Sequence, residues 1–197
     1  IRANYDHIRA DCVTFTSLLV NGESLAQAIA GNLGLLLGRV ASFCCNLARW
    51  ANSSEIIKNV YARQALPMLW DFIEANPFSE SSGSFTSQLY YMLAYLDQPR
   101  PFPKEIGVTV KQSTATQLPF EDNSLDAVLT DPPYYDNVPY ADLSDFFYVW
   151  FKRSMGDFFP ELFATPVVPK TNEAIMEPTR HPNKAQAKSF FEDMLGQ

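Results

Sequence analysis

Residues 118–150 read LPFEDNSLDAVLTDPPYYDNVPYADLSDFFYVW, and the order of patterns inside this stretch decides the fold class. Leu125–Thr130 is a short apolar run bounded by polar turn residues, the signature of a buried strand. Asp131, Pro132, Pro133 and Tyr134 follow at once, and two consecutive prolines stop any regular pairing. From Ala141 to Arg153 the apolar residues return at helical spacing. Upstream, Ile106–Lys111 alternates and is rich in Val and Thr, which predicts a strand before the first one. A strand, a short connection, a second strand, a loop and a helix predict neighbouring parallel strands of an α/β sheet. The Asp-Pro-Pro-Tyr segment then falls at a strand's carboxyl end, where open α/β sheets receive ligands.

Moving towards the N-terminus, the composition changes at Gln98–Lys104, where three prolines in five residues cannot continue a helix or a central strand. This marks a boundary between a mainly helical region, 1–99, and an α/β region, 100–197. Within the first, Leu25, Ile29, Leu33, Leu36, Val40, Phe43 and Leu47 recur at steps of three and four over residues 24–49, one face of a helix with Ser24 as N-cap. Gly31, Gly34 and Gly38 inside it predict a close-contact face. Arg39, Asn32 and Asn46 exclude a membrane dimer motif. A second helix is expected over about Ser54–Glu74, kinked at Pro67, and a third over Phe85–Leu96 after the loop that starts at Asn76 and Pro77. Beyond the central stretch, Gly156–Asn183 holds five prolines and reads as a long irregular connection, and Lys184–Leu195 resumes a helical pattern. Of the central helix, Phe146, Phe147, Tyr148, Trp150 and Phe151 are too many aromatics for one face, and most are expected in the core.

The 197 residues are 47% hydrophobic, 14% aromatic and only 19% charged, a packed globular composition that excludes disorder throughout. A net charge of −7 excludes a strong sequence-independent grip on nucleic acid by the chain as a whole. A locally basic stretch is compatible with it: from Trp150 to Phe190, Lys152, Arg153, Lys170, Arg180, Lys184 and Lys188 outnumber four acids, and phosphate contacts are expected there. No apolar run reaches membrane-spanning length, and the first residues are too polar for a signal peptide, so no membrane association and a cytoplasmic location are expected. Cys12, Cys44 and Cys45 are odd in number and lack paired CxxC spacing, and His7 and His181 stand alone. No metal site is expected, and the cysteines read as buried thiols.

Asp131-Pro132-Pro133-Tyr134 after a strand resembles motif IV of the S-adenosylmethionine-dependent amino-methyltransferases. The chemistry of the residues agrees with that resemblance. The lone pair of an aromatic amine is delocalised into its ring, and acceptors that draw its N–H bonds make the nitrogen a better nucleophile. The Asp131 carboxylate and the Pro132 carbonyl are the two acceptors. Pro132 and Pro133 fix φ at consecutive positions and hold them with little further entropic cost. Tyr134 offers a flat face to a base taken out of its stack.

The match extends to TDPPYYDNVPYADLSDFFYVWFKR from Thr130 and to RQALPMLWDFIEANPFSESSG at residues 63–83, strings that resemble the prokaryotic adenine-specific DNA methylases often described as containing a zinc ribbon. That resemblance implies a Rossmann-like class I methyltransferase domain, S-adenosylmethionine as methyl donor, and adenine N6 of double-stranded DNA, flipped out of the helix, as acceptor. It places Asp131, Pro132, Pro133 and Tyr134 at the amine. By analogy it also implies a link to restriction-modification and other defence proteins. Tyr135, Asp136, Asn137 and Tyr140 extend the same loop and are candidates for holding the flipped base or its neighbours. Aligning on LPF puts Ser113 and Thr114 where such enzymes commonly carry an acid that binds the cofactor's adenine, with Gln117 and Phe120 as further lining.

The sequence departs from the family in two respects. No FxGxG turn, which receives the methionine part of the cofactor, occurs in it, and no zinc ribbon does either. The chain is therefore expected to be an internal piece of a longer protein. Two other functions share the same residues: methylation of a guanine amine in RNA, and a non-catalytic nucleic-acid or protein-binding module on a methyltransferase scaffold. None of the three needs a nucleophilic cysteine, unlike carbon-5 cytosine methylation.

Overall fold

The computed structural model describes residues 1–15, 22–61, 64–98, 109–111 and 113–196. They form two compact units, one built from Ile1–Asp97 with Tyr140–Lys170, the other from Gln98–Pro139 with Thr171–Gln197. The division departs from the one expected at residue 99, because the helix after the Asp-Pro-Pro-Tyr segment packs with the first hundred residues.

In the first unit, α1 (Tyr5–Phe15), α3 (Phe85–Leu96) and α4 (Tyr140–Met155) all pack on the long central helix α2 (Gly22–Phe43). The reason is written in its small residues. Ala26, Ala30, Gly34, Gly38 and Ser42 recur every four positions and are all buried, whereas Leu25, Ile29 and Leu33 are only half-buried. A ridge of side chains that small lets a neighbouring helix come close. A Cβ at Gly34 would run into the Met155 thioether, and one at Gly38 would stand 2.8 Å from the Phe151 ring. The expected close-contact face is thus real at Gly34 and Gly38, but Gly31 faces open space. Across the α2–α3 contact the buried Gln88 Oε1 accepts from Arg39 Nε at 2.9 Å, so its carbonyl is not left unsatisfied.

α2 ends at Phe43, earlier than expected, and the chain turns into a two-stranded antiparallel hairpin, β1 (Arg49–Ala51) and β2 (Ile56–Lys58), with Trp50 opposite Ile57. The expected helix over Ser54–Glu74 is absent. Ile56 and Ile57 are β-branched and find a pairing strand in β1, and Glu55 sits at φ 50, a turn conformation incompatible with a helix start. After it, Leu66, Met68, Trp70 and Phe72 are all exposed, so there is no buried apolar face to repay helix formation. Val60 N–H returns to the Ser42 carbonyl at 3.0 Å and ties the hairpin to the end of α2. Tyr61 then donates to the Leu143 carbonyl of α4, with its ring against Phe146 and Phe147.

α3 has the expected bounds because Ser84 caps it, accepting from Ser87 N–H at 3.2 Å. α4 runs a turn longer than expected. Its Tyr148 is buried and donates to the Thr165 carbonyl at 2.7 Å, and Asp145 accepts both Val168 N–H at 2.8 Å and Lys170 Nζ at 2.6 Å. Among the α4 aromatics, Phe146, Phe147 and Phe151 are half-buried and Trp150 is exposed.

In the second unit, α5 (Lys184–Leu195) has the expected bounds, with Asn183 Oδ1 accepting Gln186 N–H at 2.9 Å. Ala187 and Phe191, one turn apart, bury against Met176. A short 3-10 turn, Pro178–Arg180, precedes it, and Arg180 pairs with Glu173 at 2.6 Å. The expected strand at Leu125–Thr130 is not formed. Val128 and Leu129 are exposed, and no described residue pairs with this backbone. A lone extended segment leaves its N–H and C=O groups to water and gains no ladder. Of the other expected strand, Ile106–Val108 lie outside the described residues, as does most of the Gln98–Lys104 boundary, and Thr109–Lys111 are not in a strand. Among the described residues the only sheet is the β1–β2 hairpin, and a Rossmann-like sheet is not seen. Among the described residues no helix is long and apolar enough to cross a membrane.

Candidate functional site at the Asp131–Tyr134 turn

Pro132 and Pro133 fix φ at two consecutive positions, and the Tyr134 phenol donates to Asp131 Oδ1 at 2.8 Å. All four residues are exposed, Tyr134 at 61%. Among the described residues nothing donates to Asp131 Oδ2 or to the Pro132 carbonyl. The segment is thus an exposed turn held by the Tyr134–Asp131 hydrogen bond.

The turn is completed beyond Tyr134. Asn137 N–H closes on the Tyr134 carbonyl at 2.9 Å, and Tyr135 N–H leans on the Pro133 carbonyl at 3.2 Å. Tyr135 itself stands at φ 51, a left-handed conformation that costs a bulky L-residue about 1–2 kcal/mol. Its carbonyl accepts Met176 N–H at 3.0 Å, and its ring meets Phe191 edge to face at 5.2 Å. Of the other loop candidates, Asp136 and Asn137 are exposed. Tyr140 opens α4 and belongs to the first unit.

The residues aligned with a cofactor pocket do not fit an adenosyl group as they are placed. Ser113, Thr114, Gln117 and Phe120 are all exposed. The Thr114 hydroxyl is engaged with Thr116 Oγ1 at 2.9 Å, Gln117 N–H turns back to the Thr114 carbonyl at 3.3 Å, and the Lys111 ammonium sits over the Phe120 ring at 5.6 Å.

The expected phosphate contacts are also largely taken. Lys170 pairs with Asp145, Arg180 with Glu173 and Lys188 with Glu192, while Lys152 donates to the Thr165 carbonyl and lies over the Tyr148 ring. Lys184, at the first position of α5, has no acidic partner among the described residues. Cys12 is buried, and burial, with the neighbouring Cys45 adding to it, pushes the Cys44 thiol up, away from a reactive thiolate. No cluster of metal-ligating side chains occurs among the described residues.

Sequence reasoning missed Met176 and Phe191 as supports of the turn. Phe191 is visible as the i+4 partner of Ala187 on an amphipathic helix, which marks it as core but not what it touches. Met176 acts through its backbone N–H, for which no side-chain signal exists.

Compared with protein-family models, curated proteins and solved structures, the chain matches none of them.

Proposed function

We propose that this chain carries the amine-receiving segment of an S-adenosylmethionine-dependent methyltransferase of Rossmann-like α/β type, acting on adenine N6 of double-stranded DNA. The observation that carries this reading is the exposed Asp131-Pro132-Pro133-Tyr134 segment, in which the Tyr134 hydroxyl donates to Asp131 Oδ1. The resemblance of residues 130–153 and 63–83 to adenine-specific DNA methylases supplies the choice of substrate.

S-adenosylmethionine would supply the methyl group. The chain's own part is to bind and orient the amine. Asp131 Oδ2 accepts one N–H and the Pro132 carbonyl the other, which localises the lone pair on nitrogen. Tyr134 holds the base by its face, and its hydrogen bond to Oδ1 keeps the carboxylate in one rotamer. No covalent intermediate on the protein is involved.

The test uses methyl-labelled S-adenosylmethionine with DNA and with RNA, once with the 197-residue chain and once with the whole reading frame that contains it. Digested products analysed by mass spectrometry are expected to show N6-methyladenine in DNA. Label found only on a guanine amine of RNA would move the substrate to RNA. No label on either nucleic acid from the whole reading frame would leave a binding module in place of an enzyme.

A further inference from the structure

Tyr135 is the residue by which the Asp131–Tyr134 turn is anchored to the rest of its unit. Its left-handed backbone is a conformation glycine or asparagine would adopt more easily, yet an aromatic side chain stands there. The ring is engaged edge to face with Phe191, whose own side chain is buried with Met176 and Ala187. The carbonyl that the left-handed twist presents accepts the Met176 N–H. Two bonds of different kinds thus join one strained residue to one buried cluster.

We propose that Tyr135 is a positioning residue: its carbonyl and ring, with Met176 and Phe191, form a latch through which helix α5 fixes the turn that presents Asp131 and Tyr134. This rests on the proposed function for its catalytic consequence, but the latch itself does not. It also separates the two adjacent tyrosines by role. Tyr134 is the more exposed ring, at 61% against 37%. The Tyr135 ring is held by Phe191 and serves the backbone.

The test is a double-variant cycle of Tyr135→Ala, Phe191→Leu and the two together, with Tyr135→Phe as the conservative control. Amide exchange at Met176 in the 197-residue chain reads the latch without any methyl transfer. Tyr135→Ala and Phe191→Leu are expected to speed that exchange about tenfold, and Tyr135→Phe to leave it unchanged. Tyr135→Ala leaves the Met176–Ala187–Phe191 cluster filled, so it decides the matter even if Phe191→Leu unfolds.

With the methylating protein, each single variant is expected to slow single-turnover transfer about tenfold or more at unchanged KM for DNA, and the pair to be no worse than either alone. Unchanged Met176 exchange in Tyr135→Ala would overturn the latch. So would a rise in KM for DNA with Tyr135→Ala while Phe191→Leu is silent, because that is how a base-stacking ring behaves. Absence of methyl transfer in the wild type would sink the proposed reaction instead, and the exchange measurement would still decide the latch.

Discussion

At the scale of single residues, the tetrapeptide and its neighbours were legible in sequence as chemistry but not as geometry. Two prolines after an aspartate predict a fixed pair of acceptors, and the four residues are exposed. What no pattern announces is that Tyr134 reaches back to Asp131, or that Tyr135 takes a left-handed backbone. Tyr134→Phe keeps the aromatic face and removes the bond to Oδ1. It is expected to leave DNA affinity in place and to slow transfer severalfold, on the order of the 1 kcal/mol that one such hydrogen bond is worth, measured as kcat at saturating DNA. Tyr61 supplies a pH-dependent prediction away from the site. Burial, with the neighbouring Cys45 adding to it, pushes its phenol from 10.0 up to about 12. The folded state therefore holds the proton more tightly than the unfolded one. The stability this contributes is whole below pH 10 and is lost as pH rises towards 12. Denaturant titrations in that window should show stability falling with pH, less steeply in Tyr61→Phe than in wild type.

At the scale of elements, the two helices that carry a side-chain cap have the expected bounds. α3 and α5 begin after Ser84 and Asn183, whose side chains accept the amides that a helix start leaves over. The helix expected after Ser54 does not form, because Ile56–Lys58 pair with β1 and Leu66, Met68 and Trp70 are exposed. In α2, Leu36 and Val40 of the expected apolar face are buried, but Leu25, Ile29 and Leu33 are only half-buried, and the ridge at every fourth position is alanine, glycine and serine. That ridge predicts opposite signs for two similar substitutions. Gly31→Ala meets nothing within 4 Å and should stabilise by about 0.5–1 kcal/mol through helix propensity. Gly38→Ala brings a methyl group to 2.8 Å from the Phe151 ring and should destabilise by about 1–3 kcal/mol, since the ring stacked on Phe147 must move. Thermal midpoints of the two variants check the pair.

At the scale of the whole molecule, neither the division into units nor the expected sheet follows the sequence pattern, because the helix after the Asp-Pro-Pro-Tyr segment belongs with the first hundred residues. Leu125–Thr130 has a strand's composition, and a strand exists only where another backbone pairs with it, which the sequence of one segment cannot specify. The Rossmann-like reading of this chain therefore rests on the resemblance and on the chemistry of the turn. The exposed placement of Ser113, Thr114, Gln117 and Phe120 leads to a further expectation: calorimetry of the 197-residue chain should find weak S-adenosylmethionine binding or none. Low-micromolar binding would mean that these residues rearrange or that others hold the cofactor. The central claim, that Asp131 is the acceptor for an aromatic amine, meets its most direct test in single-turnover methyl transfer by wild type, Asp131→Ala and Asp131→Asn at saturating cofactor and DNA. Loss of one preorganised acceptor should slow Asp131→Ala by about 100-fold or more, while Asp131→Asn, whose carbonyl still accepts from the amine, should retain more activity. Asn as inactive as Ala would make the carboxylate a general base instead, because an amide cannot take the proton. An Asp131→Ala protein with the wild-type rate and the wild-type thermal midpoint would contradict the account.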